Sequence, residues 1–414
     1  MSGRTTAARS SIGSGSSFRK WIGRSGIDQS LRGPPTPLTH SLTQKIQKTI
    51  EEKQVAEKKY TVAIIGCGRL GQHYAEVYQA LPNTELVAIA EYNPERLKAV
   101  GERFGIDALY PDAEAMYREM VPDIAAVVLP GKYIKEAVIA SAQAGVKGVS
   151  TDKPIAARLS DVDEMIEACV ERGVVFAGGN LQRALSEVQE AASWLRAGDY
   201  GALRGISLHS WGGEISGGGC QHIAVLRLLA QAEVTEVIAW GKPEEALKRD
   251  DDEDLIINGR FQMSNGLTCP VFGEQTPYRG IDVWTDDALV RWDWGPPDIY
   301  QGFDKSGARI KVNRPYSPLQ YPRFSYMATS ILSFLDVVEN GGTLAISGHD
   351  LRQSLEVAIA AKYSALWGSV PLALPLEDRS LTLYPRAYRW LGGDQSGRSQ
   401  SYREALEDPV FPNS

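Results

Sequence analysis

The spacing of apolar residues changes once along this chain, and the change divides it. Between residues 60 and 177, short continuous apolar runs alternate with helix-period stretches. The runs cover 60–65, 86–90, 124–129, 146–150 and 174–177, with a shorter one between the second and third. Runs this short, apolar throughout and rich in β-branched residues are what strands buried on both faces require. Helices are predicted between them, the first through about Ala80, one ending near Gly145 and one over 160–172. Strands alternating with helices of this length imply a parallel sheet covered on both sides.

After Asn180 the pattern is different. One helix is predicted over 186–197, followed by extended segments at 203–211, 234–240, 255–263, 281–285 and 288–294. The alternation in Ile281-Asp282-Val283-Trp284 suits an antiparallel sheet with one wet face. Helices return at 326–340 and 351–367, and the end from 393 reads as a loose tail. No internal repeat is visible.

Composition narrows the classes. The 414 residues suffice for two ordinary domains. A formal charge of −7 gives no basic field for nucleic acid or an anionic membrane. No apolar run reaches the ~18 residues of a membrane span. The four cysteines are scattered, without a CxxC pair, which fits a reducing compartment and argues against structural zinc. Residues 1–24 hold four arginines, many serines and no acid. That is the composition of a plain tail and also of an organellar transit peptide. The expected location is cytoplasmic, with organellar import if this segment is a transit peptide. A proline-rich break at 33–37 and a short charged helix over 41–59 follow.

The first chemistry sits directly after the first strand. Gly66-Cys67-Gly68-Arg69-Leu70-Gly71 opens a helix, the context that gives a GxGxxG its meaning. Gly66 permits the tight turn, Gly68 lets backbone approach a pyrophosphate, and Gly71 lets helix and strand pack closely. The helix N-terminus, with Arg69 and Leu70 in its first turn, offers free N–H groups and a positive dipole end to phosphates. Glu91 closes the second strand, where an acid bonds the adenosine ribose and favours NAD over NADP. Asn93 and Arg96 nearby leave NADP open. Pro130-Gly131-Lys132 after the fourth strand should lie beside the cofactor.

The predicted fold is therefore α/β: an N-terminal Rossmann domain with a doubly wound parallel sheet, and a C-terminal α+β domain with a mostly antiparallel open sheet. The boundaries read as an extension over 1–58, the dinucleotide domain over 59–182, a substrate and oligomerisation domain over 183–385, and a tail over 386–414.

At Thr151-Asp152-Lys153-Pro154 the sequence resembles the glucose–fructose oxidoreductase / inositol dehydrogenase / MocA family, whose fifth strand typically ends in Glu-Lys-Pro. Supporting pieces are residues 178–183 (GGNLQR), 195–201 (LRAGDYG), the Gly217-Gly218-Gly219 turn before His222, and Ser347-Gly348-His349-Asp350. The likeness runs from about residue 60 to 374. It implies a nicotinamide-dependent oxidoreductase acting on a sugar, polyol or cyclitol, and a homodimer or homotetramer paired through the open sheet face. It also implies that Lys153 reaches the reacting hydroxyl and that His222 moves its proton. An ammonium beside the nicotinamide lowers the cost of a forming alkoxide, and a histidine titrates where such a proton moves. Asp152 and Lys153 border the cofactor, and Arg183 is a candidate to position substrate. No histidine cluster has metal-ligand spacing, so no metal is expected.

The sequence departs from the family pattern at several positions. Asp152 stands for glutamate, and Gly218 and Val225 stand where many members have aspartates flanking the histidine. Ile134 stands where many have another histidine. Glu214 is a substitute carboxylate if its loop folds back. The rival readings are a divergent reductase on the same cofactor site and a cofactor-binding regulator without turnover. The aromatic stretch 278–300 suits a packed sheet face better than a sugar platform.

Overall fold

The computed structural model describes residues 59–179, 181–211 and 214–391. The basic N-terminal stretch, nearly all of the 41–59 helix, Asn180 and the tail from 393 lie outside them.

The first sheet is built from β1 (Tyr60–Ile65), β2 (Thr84–Ala90), β3 (Leu109–Tyr110), β4 (Ile124–Val127), β5 (Gly148–Ser150) and β6 (Val175–Ala177). The helices between them are α1 (Arg69–Ala80), α2 (Pro94–Phe104), α3 (Ala113–Glu119), α4 (Gly131–Ala144) and α5 (Leu159–Glu171). All pairings are parallel, in the order β3-β2-β1-β4-β5-β6. Strand order reverses between β1 and β4, and ligands of such sheets bind outside that crevice. Val62 and Ile64 of β1 are fully buried, which is why the run carries no polar alternation. Local signals set the helix ends. Asn93 caps α2 by accepting from the Glu95 and Arg96 N–H groups, Pro94 starts it, and Gly105 ends it at φ 68°.

The remaining chain runs through α6 (Ser186–Ala197), β7 (Leu203–His209), α7 (Gly219–Ala230), β8 (Val234–Lys242), α8 (Glu244–Lys248), β9 (Ile256–Met263), β10 (Thr268–Phe272) and β11 (Gly280–Thr285). It continues with β12 (Leu289–Trp292), β13 (Asp298–Phe303), β14 (Arg309–Lys311), α9 (Ser325–Asn340), α10 (Gly348–Leu366), β15 (Leu372–Ala373) and α11 (Ala387–Trp390). Its nine strands form one sheet, ordered β14-β13-β12-β11-β7-β10-β9-β8-β15. Every neighbouring pair is antiparallel except β7 with β10. The fold class is the one the sequence predicts. Strands β10 and β13 to β15 escape the pattern: β10 carries Pro270, and β14 is exposed at every position. Their partners make them strands. Among the described residues, no helix is long and apolar enough to cross a membrane.

One hydrophobic core runs from Ala63 and Val127 of the first sheet, through α7, to Phe261 and Trp292 of the second. Helix α7 is buried on every side, so most of its residues are apolar and its polar ones, Gln221, His222 and Arg227, are enclosed. The opposite face of the first sheet packs α1 together with α9, which returns from late in the chain. A side chain at Gly148 would meet the Phe334 ring of α9 at 2.5 Å.

Candidate active site

Gly66, at φ 92°, takes the chain from β1 into α1. A Cβ there would lie 2.4 Å from the Val128 carbonyl oxygen, and one at Gly71 would lie 2.0 Å from that of Gly66. The protein's own packing demands both glycines. Gly68 is different: among the described residues nothing lies within 4 Å of where its Cβ would point, and no side chain caps the helix it opens. The space over Gly68, Arg69 and Leu70 therefore suits a pyrophosphate, which the N–H groups of the first turn would hold. Glu91 is buried at the end of β2, where it accepts from the Cys67 N–H at 2.8 Å and the Asn93 N–H at 3.0 Å. Arg96 lies 3.5 Å away. Loop and acid are thus locked together in a shape that fits a dinucleotide. Burial, then Glu91, pushes the Cys67 thiol up to about 12, so this cysteine is packing.

Beyond β4, Pro130 leads into Gly131, which touches the Trp390 ring: a Cβ there would stand 2.9 Å from it. After β5, Asp152 is buried and braces its loop. It accepts from the Tyr74 hydroxyl of α1 at 3.0 Å and from the Lys153 N–H at 2.8 Å. Burial and the Asp152 charge raise the Tyr74 pKa well above its ordinary value, so Tyr74 remains a donor. The Lys153–Pro154 peptide is cis. Gly179, at φ 76°, lets the exit of β6 close on this loop, since a Cβ would fall 1.8 Å from the Thr151 oxygen. Lys153 itself is half-buried, and among the described residues its ammonium makes no ion pair.

The start of α7 lies within electrostatic reach of this loop. Cys220 donates to the Gly217 oxygen at 2.7 Å, and burial pushes its thiol up to about 12. Lys153, Asp152, Arg389 and Glu214 all lie within electrostatic reach of that thiol. The turn before α7 folds back, with the Gly219 N–H donating to the Glu214 oxygen at 2.9 Å, but the Glu214 carboxylate pairs with Arg389 and not with His222. Behind it, fully buried Asp252 accepts from the Ser216 N–H at 2.6 Å. Burial, then Glu214, pushes Asp252 up to about 7.

His222 is 3% exposed and lies edge-on to Trp292 and Trp294, with centroids 5.5 and 5.3 Å away. The Gly218 carbonyl favours its protonated form, yet neither ring nitrogen makes a hydrogen bond of good geometry. The indole N–H groups of both tryptophans are likewise buried without a partner. Burial dominates and pushes His222 down to about 4, so it is neutral at physiological pH. The charges acting on it are Arg279 and Asp293.

The structure thus joins Gly66, Gly68, Arg69, Leu70, Gly71 and Glu91 in one loop, and brings Lys153 and Asp152 to the start of α7. His222 sits farther along that helix, among tryptophans. Arg183 is engaged by the protein itself. It donates to the oxygens of Ala345 at 3.2 Å and Ala224 at 3.0 Å and pairs with Asp350, whose carboxyl Arg183 and Arg227 hold low despite burial. Helix bracing occupies its guanidinium. The departures at Ile134 and Val225 are core positions. Arg389 and Trp390 were missed, because the sequence assigned 386–414 to a tail. The signal was an aromatic-rich run, Tyr388-Arg389-Trp390-Leu391, after Pro385.

Residues 60–179 match the profile of an oxidoreductase family with an NAD-binding Rossmann fold, GFO_IDH_MocA. The chain is 27% identical over 322 residues to myo-inositol 2-dehydrogenase of Thermotoga maritima, covering 73% of this chain and 95% of that one. It is 32% identical over 144 residues to D-apiose dehydrogenase of Paraburkholderia graminis, a match that spans 35% of this chain and only 38% of the relative. The solved aldose-aldose oxidoreductase of Caulobacter crescentus has the same fold, with a TM-score of 0.64 and 21% identity over 77% of this chain and 100% of that one. With its Rossmann sheet, glycine loop and Lys-Pro step in place, the chain is similar to the Gfo/Idh/MocA oxidoreductases, whose NAD-binding Rossmann domain its residues 60–179 match.

Proposed function

We propose that this chain is an NAD(P)-dependent dehydrogenase or reductase that interconverts a CH–OH group and a carbonyl on a sugar, polyol or cyclitol. Lys153 carries the proposal. It is a half-buried ammonium without an ion pair among the described residues, at the carboxyl end of β5, on a loop braced from α1. Bound nicotinamide supplies the hydride acceptor or donor at this end of the sheet. Gly66, Gly68, Arg69, Leu70 and Gly71 would hold the pyrophosphate and Glu91 the ribose, and Pro130 and Asp152 would border the ring. NAD is the favoured cofactor, because Glu91 would repel a 2′-phosphate.

Lys153 Nζ donates to the substrate oxygen and stabilises the negative charge that develops there as the C–H bond breaks. The hydroxyl proton leaves by way of His222, whose burial keeps the imidazole in its accepting form at reduced basicity. In a second reading, Lys153 starts as the neutral amine, takes the hydroxyl proton itself and becomes the ammonium, and His222 is structural, which its packing against Trp292 and Trp294 favours. Large exposed aromatics on the second sheet, Trp240, Phe272, Trp284 and Phe303, support pairing through that face; light scattering that returns a monomer would remove this part. The same chemistry suits a cytoplasmic enzyme.

The test is NADH and NADPH titration followed by turnover on a polyol and sugar panel, with wild type and Lys153→Ala. Binding with turnover that collapses in the variant is expected. Binding without turnover on any substrate points to a regulator, and no binding of either nucleotide overturns the cofactor site.

A further inference from the structure

We propose that Arg389, carried on α11 and held by Glu214, is a substrate-positioning residue that selects neutral polyhydroxy compounds over their acid forms. The inference rests on the dehydrogenase reading above. Three observations place the segment at the cleft. The Trp390 ring packs on Gly131, the first residue of α4, at the carboxyl end of β4. Tyr384 stands edge-on to Trp390 at 5.0 Å, and Ala157 and Leu391 complete the cluster that pins the segment there. From this anchor Arg389 reaches the turn before α7, where it pairs with Glu214, and both lie within reach of the same thiol as Lys153.

The charges decide the substrate class. Around Cys220, Lys153 and Arg389 face Asp152 and Glu214, two cations against two anions. The Glu214 and Arg389 side chains are 12% and 25% exposed, so the pair forms wall rather than open surface. A guanidinium has five N–H donors in a fixed fork. Glu214 faces the Nε side and Tyr388 also bonds the group, and the donors beyond these two partners are the ones we assign to substrate hydroxyl oxygens. A substrate carboxylate would compete with Glu214 for one cation and stand beside an uncompensated like charge, which is unfavourable at short range.

The experiment uses the full chain loaded with NADH or NAD, in wild type, Arg389→Met and Glu214→Gln. Glucose and myo-inositol serve as neutral probes and glucuronate as the acid, read by calorimetry and by KM against kcat. Wild type should bind the neutral probes roughly tenfold or more tighter than the acid. Arg389→Met should raise KM more than it lowers kcat. Glu214→Gln preserves shape, and should shift the preference toward glucuronate by about tenfold. If cofactor binds and Arg389→Met leaves probe binding unchanged, or wild type prefers the acid, the inference fails and the dehydrogenase reading stands. If wild type binds no cofactor, both fall.

Discussion

Two glycine-rich turns lead into helices in this protein, one before α1 and one before α7, and they use glycine for different reasons. In the first, Gly66 and Gly71 are forced by backbone oxygens 2.4 and 2.0 Å from their Cβ positions. In the second, Gly218 has ordinary helical angles and its nearest contact would be 3.5 Å away. Gly217 is crowded only by the flexible Glu214 side chain. The first turn is dictated by the strand and helix on either side of it. The second is shaped by Arg389, which arrives from the far end of the chain. A backbone-forced motif is visible locally, whereas a turn completed by a distant side chain is not.

The largest expected effect separates chemistry from cofactor binding. Lys153→Ala should lower kcat roughly a thousandfold while NADH affinity stays within a few-fold, because the ammonium acts on charge that forms only in the transition state. Stopped-flow single turnovers with a fluorescence titration read both quantities. A variant as active as wild type would remove Lys153 from the mechanism.

Next come the glycines themselves. Gly71→Ala drives a methyl into a backbone oxygen and should cost about 3 kcal/mol or more of stability, with loss of NADH binding. Gly218→Ala, at helical angles with room for a methyl, should be neutral or stabilising by up to about 1 kcal/mol. Urea unfolding of the pair measures the contrast directly. Equal losses would mean the two turns are governed by the same packing.

The pH dependence sharpens the second turn. His222 has a folded pKa of about 4 against 6.5 unfolded, so the unfolded chain binds more protons between those values. Its contribution is intact above pH 6.5 and is lost as pH falls toward 4. Asp252 runs the other way, with a folded value of about 7 against 3.8, so its contribution is intact below 3.8 and lost as pH rises through 7. In Asp252→Asn, Tm should rise relative to wild type as pH goes from 4 to 6.5, and in His222→Phe it should fall. Parallel curves for the two variants would show that neither group titrates in that window.

The legibility of the two halves follows the same division. The parallel sheet was readable because runs such as Tyr60–Ile65 are buried on both faces, and Glu91 because it ends β2 at a fixed distance from the glycines. The position of Lys153 just after β5 was readable from the strand pattern, and its proposed role only through the family resemblance. The bracing task of Arg183 was not, since Ala224, Ala345 and Asp350 meet it only in three dimensions. Trp294 sits at φ 56°, off the end of β12, a backbone state that the alternation through 288–294 does not announce. Nor did any local signal show that His222 would be enclosed by Trp292 and Trp294.

The smallest expected effect is the most discriminating for the first turn. Gly68 is the one glycine of its loop that the protein does not need, since its φ of −61° suits any residue and its Cβ would enter open space. Gly68→Ala should therefore leave stability within about 1 kcal/mol of wild type. The same methyl would occupy the space through which a pyrophosphate approaches the helix, so NADH should bind about tenfold more weakly. Thermal unfolding without cofactor and NADH titration separate the two quantities. Loss of stability would mean that packing holds Gly68 as it holds Gly66 and Gly71. Unchanged affinity would mean that the phosphates do not pass over this residue, and the contrast between the two turns would then rest on packing alone.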